Sequence, residues 1–224
     1  LVGLFLGGIV GFSSAIGREL LNRNIDGLDK LKEIEYPVLS VVPDFVTAIK
    51  EKHNEKSKVA VKGRLVSSSW FSLLDNISPI TESYRRLHNN IIYSQPDHEI
   101  KTILVTSPGK AEGKTTTAVN HAGILAESGK RVLMVDFDFR RPNLHKTLGE
   151  SQTPGIMEML FDEVPANEVI RETAYPGIYC LNTGRRPPNP ASVAQSEKLK
   201  NIIQDLKEDY DYVVIDSAPY GIIT

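Results

Sequence analysis

The chain has almost nothing with which to build a disulfide framework or a metal cage. One cysteine, Cys180, stands among 224 residues. It sits in an apolar, strand-like run and reads as an inert core thiol in a reducing compartment. No Cys and His residues stand at metal-ligand spacing. An excess of one charge is missing too. Lys and Arg number 26 against 28 Asp and Glu, a net charge of −2, so there is no basic field for a nucleic acid partner. Internal repeats and low-complexity tracts are absent. A long uncharged stretch occurs at the beginning, Leu1 through Gly17.

What the chain does have is three short segments in a telling order: Ser107-Pro-Gly-Lys-Ala-Glu-Gly-Lys-Thr115, Leu133-Met-Val-Asp-Phe-Asp-Phe-Arg140 and Val213-Val-Ile-Asp-Ser-Ala-Pro219. The first follows a β-branched run and precedes a stretch of helical composition, the context a phosphate-binding loop requires. Gly109 and Gly113 let backbone amides approach phosphate oxygens. The helix beginning near Lys114 turns its positive dipole end toward the same anion. Lys114 is expected at the β- and γ-phosphates and Thr115 on magnesium. Glu112 and Thr116 complete the nucleotide-binding set with Gly109, Gly113, Lys114 and Thr115. Pro108 stands where the motif usually has its first glycine. ATP and Mg²⁺ are the expected cofactors.

The other two segments are apolar runs ending in aspartate, as buried parallel strands are. Asp136 and Asp138 are two residues apart, a spacing that puts both side chains on one face of a strand. At a strand's C-terminal end, that face opens onto the crevice where α/β sheets bind ligands. Asp216 follows three apolar residues, in the manner of a second ATPase aspartate that reaches magnesium directly or through water.

At these residues the chain resembles the bacterial tyrosine kinases, the BY-kinase family of exopolysaccharide co-polymerases. That family carries a phosphate loop, then apolar residues with Asp-x-Asp-x-Arg, then apolar residues with Asp-Ser/Thr-x-Pro. The resemblance spans nearly the whole chain, including Ser78 to His88 and Pro187-Pro-Asn-Pro-Ala191 before a long helix. It implies an ATP-dependent protein tyrosine kinase acting on neighbouring copies and regulating polysaccharide polymerisation and export. It implies Lys114, Asp136 and Asp138 as catalytic residues, and Thr115, Asp136 and Asp216 at the metal. An aspartate near 3.9 and a tyrosine near 10 are separated by about 8 kcal/mol of proton-transfer cost. Asp136 is therefore expected to orient the tyrosine hydroxyl and take its proton late, with Asp138 assisting at the metal. The family docks subunits through Glu-x-x-Arg-x-x-Arg, here Glu82, Arg85 and His88, with Arg86 beside them to compensate for the lost last arginine. Two other readings stay open: a partition-type ATPase switch and a non-catalytic co-polymerase. Partition and septum-placement ATPases usually carry an extra signature lysine where this chain has Gly109.

The resulting organisation has three parts. Residues 1–22 read as the end of a transmembrane helix, since 17 helical residues span roughly 25 Å of an about 30 Å bilayer core. Arg18, Arg23, Lys30 and Lys32 then place the rest of the chain in the cytoplasm, at the bacterial inner membrane. Residues 23–77 read as a juxtamembrane segment and linker, with a short helix at Asp26–Ile34 and a strand at Val38–Val42. Lys50, Lys52, Lys56, Lys58, Lys62 and Arg64 make its second half a solvated tether or a contact for anionic membrane lipid. Trp70 and Phe71 are anchors or pack on the domain. Residues 78–224 read as a P-loop NTPase-like α/β domain, a parallel sheet with helices on both faces. Its expected strands are Thr102–Thr106, Arg131–Asp136, Gly177–Leu181 and Tyr212–Asp216, after a helix at Ile80–Tyr93. The eight tyrosines are scattered, so the family's acceptor cluster and a further strand are expected beyond residue 224.

Overall fold

The computed structural model describes residues 3, 7, 8, 11–14, 37–44, 47–49, 52 and 56–220. It divides into two units, Leu1–Val38 and Leu39–Thr224. In the first, Gly3, Gly7, Gly8 and Gly11 to Ser14 are helical and exposed. No helix among the described residues is long and apolar enough to cross a membrane. Most of residues 1–22 lie outside the described residues, as does the expected helix at Asp26–Ile34.

The second unit is built on a five-stranded sheet, in the order β3-β7-β4-β6-β5. Strands β3 (Thr102–Val105), β7 (Tyr212–Ser217), β4 (Val132–Phe137) and β6 (Ile178–Leu181) are parallel. The two-residue β5 (Arg171–Glu172) closes one edge antiparallel. The central strands are continuous apolar runs because both faces are covered. Along β4, Leu133 and Val135 join one core cluster while Val132 and Met134 join the other. Val213 and Ile215 of β7 face the first cluster and Val214 the second.

The helices on the two faces follow from their apolar spacing. On the first face lie α5 (Ile156–Phe161), α6 (Ala166–Val169), α7 (Pro190–Ala194) and α8 (Glu197–Asp209). Ser196 caps α8 by accepting the Leu199 N–H at 3.3 Å, and Leu199, Ile203 and Leu206 form its buried stripe. On the second face lie α3 (Lys114–Glu127) and α4 (Leu144–Leu148). Helix α3 is apolar on two sides. Ala118, Val119, Ala122 and Leu125 meet the sheet, and Ile124 meets α2 (Pro79–Ser94) at Ile80 and Tyr84. Helix α2 starts where Ser78 accepts the Thr81 N–H at 3.1 Å and Pro79 takes the first turn.

The segment expected to be a tether departs from that reading. Lys58–Val61 and Arg64–Ser67 form an antiparallel hairpin, β1 and β2, followed by the short helix α1 (Phe71–Leu74). Trp70 and Phe71 are 0% exposed. Trp70 stacks on Tyr175 with ring centroids 6.2 Å apart. Buried Asn120 of α3 fastens the segment from inside the core. Its carbonyl accepts the Ser72 N–H at 2.9 Å, and its amide donates to the Ser69 and Thr116 carbonyls at 2.8 Å each. Gly123 permits this approach, since a Cβ there would overlap Ser72. The lysine-rich face is partly committed as well: Arg64 meets Glu150 at 2.9 Å and Lys52 pairs with Asp75. Val38–Val42, expected as a strand, forms no regular element.

Because Trp70 is packed rather than tethering, Trp70→Ala should lower unfolding stability by about 3–5 kcal/mol, read by urea denaturation. A loss of under about 1 kcal/mol would return the segment to the role of linker.

Candidate nucleotide site

The site forms at the C-terminal ends of the central strands, where open α/β sheets bind ligands. After β3 the chain enters the phosphate loop. Ala111 and Gly113 both take left-handed backbone conformations, with φ of 60° and 85°. Such alternation curls a backbone into an anion-binding concavity. A Cβ at Gly113 would meet no neighbour, so the glycine answers to backbone conformation alone. The loop is tied internally, the Gly109 N–H donating to Glu112 at 3.0 Å and the Ser107 hydroxyl to the Gly109 carbonyl at 2.6 Å. It is tied to the third motif as well. The Ser217 hydroxyl donates to the Val105 carbonyl at 3.0 Å, and the Tyr220 N–H donates to the Ser107 carbonyl at 2.8 Å.

A cavity of about 580 Å³ opens over this loop. Lys114, Thr115 and Thr116 line it from α3, Asp138 and Arg140 from the loop after β4, and Asp216, Ala218 and Pro219 from the end of β7. The Thr115 hydroxyl donates to Asp216 Oδ2 at 2.6 Å. Asp216 is 2% exposed, and its Oδ1 is buried without a hydrogen-bond partner. This donor pair fits a magnesium ion, which is held by one or two carboxylates, a hydroxyl and substrate phosphates. Among the described residues no group of three or more His, Cys, Asp or Glu gathers to hold a metal, so this pair would share the ion with phosphate oxygens.

The paired carboxylates do not share the cavity. Asp136 lies directly opposite Asp216 in the β4–β7 register, yet it is 0% exposed and lies off the cavity wall. Its oxygens are occupied by the chain: Oδ1 accepts the Asp138 N–H at 3.0 Å, and Oδ2 accepts the Asn143 and Leu144 N–H groups at 3.2 and 3.1 Å. This departs from the expectation that Asp136 meets metal and substrate. The physical reason is that β4 ends at Phe137, so the same-face rule stops before Asp138. Asp138 turns onto the cavity wall, where its Oδ1 accepts the Arg141 N–H at 2.9 Å.

Of the other expected residues, Lys114, Thr115, Thr116 and Gly113 line the cavity, while Gly109 and Glu112 brace the loop behind it. Arg141, Asn143 and Lys110 also line it and were not expected; the signal for the first two was the Arg-Arg-Pro-Asn run at 140–143, and Lys110 stands inside the phosphate loop itself. On α2, Arg85 is engaged within the domain, meeting Glu127 at 2.7 Å and pairing with Glu82. Glu82 and Arg86 are exposed. His88 departs from the surface reading. It packs inward, its ring 5.6 Å from buried His121 and 6.5 Å from Tyr212.

Residues 100–224 match the family described as AAA domain. The tyrosine-protein kinase ptk of Acinetobacter johnsonii is 30% identical over 225 residues, which cover all of this chain and 30% of that protein. The tyrosine-protein kinase YwqD of Bacillus subtilis (strain 168) is 32% identical over 139 residues, covering 62% of this chain and 59% of that protein. Among solved structures, the BceF tyrosine kinase domain is 29% identical with a TM-score of 0.71, over 89% of this chain and 78% of that one. The chain belongs to the AAA domain family and to the bacterial tyrosine kinases of these relatives, whose kinase domain it matches. It spans under a third of the length of the Acinetobacter relative.

The two central carboxylates titrate abnormally. Burial pushes Asp136 up to about 7, with neighbouring Asp216 adding to the rise. Burial pushes Asp216 up to about 6 against the opposing pull of the Thr115 hydroxyl and Lys114. Both lie above the ordinary aspartate value of 3.8. Their contribution to stability is therefore present below that value and lost as pH rises through about 6 to 7. The metal-free protein should melt at lower temperature as pH rises from about 5 to about 8. Asp216→Asn should flatten that slope, and magnesium with ATP should restore the wild-type melting temperature at the upper end. Parallel slopes for wild type and variant in a thermal-shift series would refute the assignment of the proton to this pair.

Proposed function

We propose that this domain is an ATP- and magnesium-dependent protein tyrosine kinase. The observation that carries the reading is the Thr115–Asp216 contact of 2.6 Å on a cavity that also holds Lys114 and Asp138. Its support is the identity to proteins named tyrosine-protein kinases. When bound, magnesium neutralises charge on the β- and γ-phosphate oxygens, and Thr115 and Asp216 are the residues to hold it. The Lys114 ammonium balances charge on the transferred phosphoryl group, and the backbone of the loop cradles the phosphates. The tyrosine oxygen bonds to the γ-phosphorus as the bond from that phosphorus to the bridging β–γ oxygen breaks. ADP leaves with the bridging oxygen.

The phenolic proton passes to Asp138 late in the step, then to solvent. Asp138 takes this role because it lines the cavity, whereas Asp136 has its oxygens filled by three N–H groups. Asp136 is thus a positioning residue. A loose transition state needs little activation of the nucleophile, so an orienting carboxylate suffices.

The wider reading places the domain on the cytoplasmic side of a bacterial inner membrane. There it phosphorylates tyrosines of neighbouring copies and regulates polysaccharide polymerisation and export. The uncharged first 17 residues followed by Arg18 and Arg23 support the anchor, which meets membrane lipid. Glu82, Arg85 and Arg86 are the proposed contact between copies.

Incubation of a protein bearing this domain with magnesium and ATP should give phosphotyrosine by mass spectrometry. Lys114→Met should abolish it while the fold, read by circular dichroism, is kept. Asp138→Asn should slow transfer by about 100-fold or more while ATP affinity holds. An active Lys114→Met protein would sink the kinase reading. Full activity of Asp138→Asn in a quench assay would remove that residue from the chemistry.

Replacing Glu82, Arg85 and Arg86 together by Ala should shift sedimentation toward monomer and lower phosphorylation in trans. An unchanged oligomer distribution would return α2 to an ordinary solvated helix.

A further inference from the structure

A second cavity, of about 570 Å³, lies beside the nucleotide cavity. Arg140, Arg141 and Asn143 line both, while Lys146, Gln152 and Arg186 line the second and not the first. Four of its seven lining residues are cationic and none is a carboxylate. Arg141, Lys146 and Arg186 are exposed. Among the described residues, none of these three takes part in an ion pair.

The walls are held firmly. Gln152 donates to the Gly184 carbonyl at 2.8 Å, and the Gly184 N–H donates back to the Gln152 carbonyl at 3.2 Å. Arg171 braces the same loop through the Ser151, Thr153 and Pro154 carbonyls at 3.3, 3.0 and 3.2 Å. Asn182 adds a bond to Ser151 at 3.0 Å. The cations therefore converge from three chain segments onto a concave, braced surface. Elsewhere three arginines of the domain meet carboxylates, Arg64 with Glu150, Arg85 with Glu127 and Arg185 with Asp162, and Arg171 donates to carbonyls. Arg141, Lys146 and Arg186 have no such carboxylate among the described residues, and their cavity adjoins the place of phosphoryl transfer.

We infer that this cavity binds an anionic group, carboxylate or phosphate, carried by the segment that presents the acceptor tyrosine. The inference rests on the kinase reading above. Several cations converging on one anion contribute to both affinity and orientation. An acidic flank would thus set the register in which the tyrosine enters the first cavity. Acceptor segments with neutral or basic flanks are disfavoured because they leave these three cations unmatched.

The test uses fluorescent peptides of one length, in which a tyrosine is flanked by Glu, by phosphotyrosine or by Gln. Binding is measured to the wild-type protein and to Lys146→Gln/Arg186→Gln, whose changes lie outside the nucleotide cavity. The anionic peptides should bind about tenfold tighter than the Gln peptide. The double variant should erase that preference with ATP affinity and melting temperature unchanged, and Lys146→Arg/Arg186→Lys should keep it. A preference for the Glu peptide alone assigns the site to carboxylate, and one for the phosphotyrosine peptide alone to phosphate. Equal binding of all three peptides, or a preference that survives the double variant, overturns the inference. So does recruitment to phosphatidylglycerol vesicles that the double variant loses while peptide binding shows no charge preference. Phosphotyrosine formation is scored on the same peptides. A charge preference without any phosphoryl transfer would overturn the kinase reading and leave the anionic subsite standing.

Discussion

The parallel register of β4 against β7 sets Asp136 directly opposite Asp216, and much of the site follows from that pairing. Two carboxylates side by side in a buried sheet repel each other and lose hydration, so each needs its own compensation. Asp136 finds it in three backbone N–H groups. Asp216 finds it in the Thr115 hydroxyl and the nearby Lys114 charge. A register slip of one residue on either strand would turn that carboxylate to the opposite face, into the cluster of Val213 and Leu133. The apolar alternation on both faces of β4 and β7 holds the register, and with it the chemistry.

That arrangement divides labour between residues that look equivalent in sequence. Asp136 joins the end of β4 to the start of α4, because its Oδ2 accepts the Asn143 and Leu144 N–H groups. The residues between, Asp138 to Pro142, are thereby drawn into a tight loop. Asp138, Arg140 and Arg141 reach the nucleotide cavity from it, and Arg140 and Arg141 also reach the basic cavity beyond. Loss of Asp136 would thus disturb both cavities although it lines neither.

The parallel core was legible because its strands are buried on both faces and announce themselves as apolar runs. The phosphate loop was legible from its glycines, and β3, β4, β6 and β7 fell within a residue or two of expectation. What escaped had a physical reason in each case. The β1–β2 hairpin carries Lys58, Lys62 and Arg64 around a Lys-Gly turn, so its charge hid Val66, which is fully buried. Trp70 was ambiguous because the decisive contact, Asn120 reaching back to Ser69 and Ser72, spans about 50 residues. Val38–Val42 has strand composition but pairs with no strand among the described residues. The spacing of Asp136 and Asp138 promised a shared face, and the end of β4 at Phe137 broke it. His88 replaced an expected arginine on a surface helix and turned inward instead, where an uncharged imidazole can pack. Burial holds its pKa below the ordinary histidine value.

Charge in the finished site is layered. The buried layer is acidic, Asp136 and Asp216 at the strand ends, and the outer rim is basic, with Lys110, Lys114, Arg140 and Arg141. The rim does not fully satisfy the buried layer, since Asp216 Oδ1 has no hydrogen-bond partner among the described residues. A nucleoside triphosphate with its divalent cation has the complementary layering: metal charge to set against Asp216, phosphate oxygens to set against the rim. Free phosphate alone would meet the rim but leave Asp216 Oδ1 unmatched, and a cation alone would do the reverse. If the site takes a nucleotide as proposed, preference for the complex over either part would follow from where the charges sit, before any contact to the base or the sugar is considered.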